Sequence, residues 1–189
     1  MCIRDRAYPR VRQTFNLVPS LLAQIEDYSQ GQYQDLFLNL SRRPAADLGA
    51  EERQFLLRWM REDPRFLRVQ GSPRYLELAS RPLDARFTVE EVRDLQVWFN
   101  LAWIDPAWAG QHEVLAALKA KDRDFTEEEK HQVLDAQLDL VARVIPEYAK
   151  LAASGQAELT FSPYYHPILP LICHVDAART ALPLSLIHI

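Results

Sequence analysis

Gly155-Gln156-Ala157-Glu158-Leu159-Thr160-Phe161-Ser162-Pro163-Tyr164-Tyr165-His166-Pro167-Ile168-Leu169-Pro170-Leu171-Ile172 is the stretch on which the reading of this chain turns. A long helical pattern stops at Gly155, the residue type that most often closes a helix in the left-handed conformation. The next residues alternate: Ala157, Leu159 and Phe161 point one way, Glu158, Thr160 and Ser162 the other. That two-residue period predicts a β-strand. Pro163 ends it, because proline has no N–H to give to a ladder. Two tyrosines and a histidine follow at once, framed by prolines. A stiff, aromatic, polar-tipped loop at the C-terminal end of a strand is where α/β proteins place binding sites. The same tyrosines would also serve to cap a core, and a lone histidine to satisfy one.

Outward from that stretch, the 189 residues are 48% hydrophobic and 25% charged, the composition of an ordinary globular domain. A net charge of −4 gives no basic excess, so neither nucleic acid nor an anionic membrane is an expected partner. No apolar run approaches the roughly 20 residues of a membrane span. Two cysteines, Cys2 and Cys173, make no disulfide framework, and a reducing, cytoplasmic setting is expected. Residues 1–6 and 184–189 resemble translated adapter sequence and are set aside as non-native ends. The native part is then 7–183, a piece of a longer protein.

Val11-Arg12-Gln13-Thr14-Phe15 reads as a second short strand, turned by Asn16-Leu17-Val18 into a helix that starts at Pro19. Residues 32–153 read as mostly helical. Phe55, Leu56, Trp59 and Met60 give one short apolar face, and the charged residues up to Arg81 are expected to be solvated. Thr88-Val89-Glu90-Glu91 and Thr126-Glu127-Glu128-Glu129 are capping boxes. Behind the first, Val92, Leu95, Phe99 and Ala102 make one buried stripe, with Trp98 and Trp103 beside it as expected core residues. Behind the second lies the longest apolar periodicity. Pro146 falls inside it and predicts a kink, or two helices meeting end to end.

Three stretches resemble glycoside hydrolase family 57. One is the Gly155 to Ile172 segment, with its Gly-x-x-Glu strand and Tyr-His-Pro-Ile-Leu-Pro tail. The second is Thr14-Phe15-Asn16-Leu17-Val18-Pro19-Ser20-Leu21-Leu22, with Gln24 and Asp27-Tyr28. The third is Asp94 to Trp103, closing on Asp105-Pro106. They occur in order over most of residues 8–183. The resemblance implies an α/β, helix-rich fold: part of a (β/α)7-type barrel with two parallel strands and a helical insertion over 32–153. It implies a retaining hydrolase or transferase acting on α-glucans, of amylase or amylopullulanase type.

Retaining cleavage of a glycosidic bond requires two carboxyl groups about 5 Å apart. Glu158 and Asp176 are the tempting pair here. In the family, however, the nucleophilic glutamate and the acid/base aspartate lie on later strands, and a His-Gln-Pro motif lies on an earlier one. None of these has a match in this chain, so no catalytic residue is carried over. What carries over is sugar contact: Tyr164, Tyr165 and His166, whose rings and polar tips suit pyranose faces and hydroxyls. Asn16, at the end of the first strand, would face the same rim, or cap the helix behind it. His166, His174 and Asp176 are spaced too loosely for a zinc site, and neither metal nor cofactor is expected. The competing reading is a non-enzymatic helical scaffold. Geometry separates the two: the enzyme reading requires the two strands to pair in parallel, with Asn16 and Tyr164 at one end.

Overall fold

The computed structural model describes residues 8–62, 72–82, 85–165, 167, 169, 173, 174, 176 and 180. The chain divides into two units, Met1–Asp27 with Val144–Ile189, and Tyr28–Arg143.

In the first unit, strand β1 (Gln13–Leu17) lies parallel to β2 (Ala157–Phe161), in the register Gln13↔Ala157 through Leu17↔Phe161. Parallel neighbours cannot be joined by a hairpin, and here the whole helical unit lies between them in sequence. The first strand sits two residues later than its composition predicts. Pairing with Thr160 and Phe161 draws Asn16 and Leu17 into the ladder, so register rather than local propensity sets its limits. Helix α1 (Pro19–Ser29) follows, with Pro19 as its first residue.

Helix α9 (Val144–Ala153) delivers the chain into β2. Gly155 has φ +70°, its N–H reaches the Ala152 carbonyl at 3.0 Å, and the Gln156 N–H reaches Leu151 at 3.0 Å. These are the two bonds of a Schellman closure. The Gln156 carbonyl then accepts from Gln13 N at 3.1 Å and starts the pairing. Phe15, Leu151 and Ala157 form a small core with Leu17, Tyr148 and Leu159 around it. Phe15 meets Tyr148 edge to face at 5.2 Å. Burial fades along β2, from buried Ala157 through half-buried Leu159 to Phe161, which is 83% exposed.

The second unit is helical among its described residues: α2 (Leu36–Arg42), a 3-10 turn (Ala45–Asp47), α3 (Ala50–Glu62), α4 (Pro73–Ala79), α5 (Val89–Trp103), α6 (Pro106–Gln111), α7 (Glu113–Lys121) and α8 (Glu127–Ala142). Both capping boxes form, each threonine accepting from the third helical amide while the glutamate accepts from the threonine N–H. Asp105 caps α6 with Pro106 as its first residue. The apolar periodicity over 127–153 breaks at Arg143, between α8 and α9. Pro146 therefore lies in the first turn of a new helix, where no backbone bond is lost.

Helix α5 is where the sequence reading needs correction. Instead of one buried stripe, everything from Asp94 to Leu101 is buried, while Ala102 is only half-buried. The helix runs through the middle of the unit, and its buried polar residues have hydrogen-bond partners, those of Asp94 and Gln96 on other elements and that of Asn100 within the helix. Asp94 accepts from Arg74 Nε at 2.8 Å and from Phe125 N at 3.1 Å. Gln96 donates to the Leu40 carbonyl at 3.1 Å, and Asn100 donates to the Gln96 carbonyl at 2.7 Å. Arg74 is thus buried rather than solvated.

Lys130 is buried as well, its Nζ 2.6 Å from Glu127 Oε2 and 2.5 Å from the Arg43 carbonyl. Burial lowers the Lys130 pKa, against the pull of Glu127. Burial alone would raise the Glu127 carboxyl, but Lys130, Arg93 and the Ala45 amide together hold it below the usual 4.5.

Candidate functional site

The parallel pairing brings two distant stretches to one end of the sheet. Asn16 and Thr160 are register partners, and Thr160 Oγ1 donates to Asn16 Oδ1 at 3.4 Å. Asn16 Nδ2 donates to Ser162 Oγ at 2.9 Å, and Ser162 N donates to the Leu17 carbonyl at 3.3 Å. Asn16 is therefore a strand residue tied to the start of the tyrosine loop. The helix-cap alternative does not hold, because Val18 supplies the carbonyl that accepts from Leu21 and Leu22.

Beyond Pro163 the chain turns through Tyr164 and Tyr165. Their rings meet edge to face at 4.8 Å. Tyr164 is 48% exposed and Tyr165 88% exposed, so neither caps a core among the described residues. Phe161 stands exposed just before them. The two tyrosine rings thus follow directly on the polar side chains of Asn16 and Ser162 where β1 and β2 end, while Phe161 lies on the other face of the strand. Such a surface offers flat apolar faces beside hydrogen-bonding groups, the complement of a pyranose ring. His166 lies outside the described residues.

Glu158 occupies the polar side of β2, and its Oε2 accepts from Thr14 Oγ1 at 3.0 Å across the sheet. That contact suits a carboxylate that ties the strands together. Asp176, Cys173 and His174 are exposed. No group of three or more His, Cys, Asp or Glu that could hold a metal ion is present among the described residues. No helix among them is long and apolar enough to cross a membrane.

The helical unit holds a feature the sequence did not disclose. A cavity of about 480 Å³ opens between α2, α3, α5 and α8, lined by Phe37, Trp59, Phe99 and Trp103 among others. The two tryptophans beside the α5 stripe part company. Trp98 is core, with Nε1 donating to the Asp122 carbonyl at 2.7 Å, whereas Trp103 is 56% exposed. Trp59 is 57% exposed, while its helical neighbours Leu56 and Met60 are fully buried. In the sequence, Trp59 belongs to the same apolar face as those neighbours. Only its place at the edge of that face, one position off the Leu56–Met60 row, hints at its exposure.

Residues 8–182 match the model of the family described as Glycosyl hydrolase family 57. No curated protein and no solved structure matches the chain.

Proposed function

The chain belongs to glycosyl hydrolase family 57, a family of carbohydrate-acting enzymes, and on that premise we propose that it supplies part of the sugar cleft of an α-glucan-active hydrolase or transferase. The chain forms part of a (β/α)7-type barrel, into which the helical unit is inserted. Tyr164 and Tyr165 offer ring faces and hydroxyls to successive pyranose units, Asn16 contributes from the neighbouring strand, and His166 completes the loop. The reaction retains anomeric configuration. Its two carboxylates, about 5 Å apart as such chemistry requires, come from strands outside these residues. Glu158, engaged with Thr14, orients the sheet end rather than attacking the sugar.

One observation carries this reading above the scaffold alternative. Strands separated by more than a hundred residues pair in parallel, and they end with Asn16, Tyr164 and Tyr165 together and accessible. Carboxyl ends of parallel strands are the general location of α/β binding sites.

The test is turnover of amylose and pullulan by the purified chain, alone and as part of a longer polypeptide carrying later strands. The chain alone releases no reducing ends, while the longer form does and loses most of its rate on His166→Ala with little change in Tm. Hydrolysis by the chain alone, abolished by Glu158→Gln, would place the catalytic pair inside these residues and contradict the assignment.

A further inference from the structure

The exposed tryptophans of the helical unit frame a pocket that the tyrosine loop does not share. Trp103 is held edge-on against Phe99 at 6.3 Å, and Trp59 packs against Phe55 at 6.3 Å, so both rings are fixed while more than half their surface stays open. Rigid, accessible indoles are apolar platforms that lose little entropy on binding. The cavity they frame is about 480 Å³, within the range of small-molecule sites. A second depression of about 410 Å³ shares Tyr28, Asp35, Phe37 and Trp59 with it. Trp59 thus stands where two hollows join, which suits an elongated ligand rather than a single compact one.

The polar lining selects further. No lysine or arginine lines the larger cavity among the described residues, and its one acid, Asp35, has both oxygens engaged. Oδ1 accepts from Leu38 N at 3.0 Å and Oδ2 from Tyr28 Oη at 2.5 Å. No cationic side chain among the described residues is therefore there to hold an anion. What remains are amide oxygens. Gln137 donates Nε2 to the Asn100 carbonyl at 2.8 Å, and Asn100 donates Nδ2 to Gln96. Each leaves its side-chain oxygen uncommitted among the described residues. Neutral hydroxyl donors against flat apolar faces fit this arrangement.

We propose that the pocket between Trp59 and Trp103 is a second carbohydrate site, which binds a neutral malto-oligosaccharide and holds polymeric substrate on the helical unit. The choice of an α-linked glucan rests on the function proposed above; the site itself rests on the pocket. Trp98 and Trp108 are buried, so a change in tryptophan emission on adding sugar is expected to come from Trp59 and Trp103.

The experiment titrates the full chain with maltoheptaose while following that emission. The expected result is a saturable change whose Kd rises about tenfold in Trp103→Ala, the loss of one aromatic platform. The Kd stays within about threefold in Trp103→Phe, which keeps a ring. Far-UV circular dichroism establishes that each variant is folded. Absence of a saturable change overturns the proposal, as does a change that survives Trp59→Ala with Trp103→Ala. Response to cello-oligosaccharides but not to maltoheptaose overturns the ligand class. A retained tryptophan response in a longer form that shows no glucan turnover would sink the function proposed above but not this site. Turnover without that response would do the reverse.

Discussion

Replacing Asp94 by asparagine tests the buried polar core of the helical unit most sharply. Asp94 is fully buried, and its carboxylate takes Arg74 Nε at 2.8 Å and Phe125 N at 3.1 Å. Asparagine fills the same volume and keeps an oxygen for Phe125, but it turns an amide donor toward a guanidinium. Removing one partner of a buried pair costs about 3–5 kcal/mol, because the other charge is stranded. Arg74 keeps Glu77 at 3.0 Å, but Glu77 is an exposed partner, worth about 1 kcal/mol at most. The expected loss is therefore near the lower end, about 3 kcal/mol. For a unit of this size, that corresponds to a fall in Tm of roughly 10–20 °C.

Urea unfolding followed by circular dichroism, with thermal melts alongside, measures it. Adding Arg74→Met to Asp94→Asn should recover more than half the loss, since no buried charge is left without its partner. If Asp94→Asn changes stability by less than about 0.5 kcal/mol, an ordinary surface effect, the buried pair does not hold the unit together. If the second substitution makes matters worse by its full single-mutant cost, stranding of Arg74 is not the cause.

Gly155→Ala should cost about 1–2 kcal/mol through the left-handed backbone alone, because an added Cβ meets nothing within 4 Å. An unchanged urea midpoint would mean that the Schellman closure is not formed. Acid should destabilise the chain. Arg81 is the main cause holding Glu91 below the ordinary carboxylate value of 4.5, while Glu127 and Glu129 are held below it by Lys130 and Lys121 against the opposing effect of burial. Folded values below unfolded ones mean that this stability is present above about pH 4.5 and is lost as pH falls through the folded values. Melts from pH 7 to pH 3 check this, and a flat profile across that range would contradict it.

Element ends were legible because they are written locally. Thr88 with Glu91, Thr126 with Glu129, Asp105 before Pro106, and Gly155 each act within a few residues, and each acts as its type suggests. The parallel pairing was legible only through three family-like stretches, since no local pattern tells Gln13–Leu17 that Ala157–Phe161 is its neighbour. What escaped is tertiary. Periodicity assigns a helix one buried face, so it cannot show that α5 is surrounded and that Asp94, Gln96 and Asn100 are buried with partners. It likewise cannot tell Trp98, whose indole N–H meets the Asp122 carbonyl, from Trp103 five residues on, whose ring is open. At the candidate site, the residue types named the surface and the sheet register assembled it. Asn16 looked as much like a helix cap as a rim residue, and its bond to Ser162 shows that it is a sheet-end residue rather than a cap.

That two remote strands end together as a wall for sugar is open to one direct measurement. The chain, carrying 13C-labelled tyrosine, is titrated with maltoheptaose and the ring resonances of Tyr164 and Tyr165 are followed, with buried Tyr75 as the internal reference. Saturable shifts at Tyr164 and Tyr165 with Tyr75 still, diminished by Asn16→Ala, are the predicted result. Tyrosine-loop resonances that stay fixed at every sugar concentration would show that the sheet end makes no such contact.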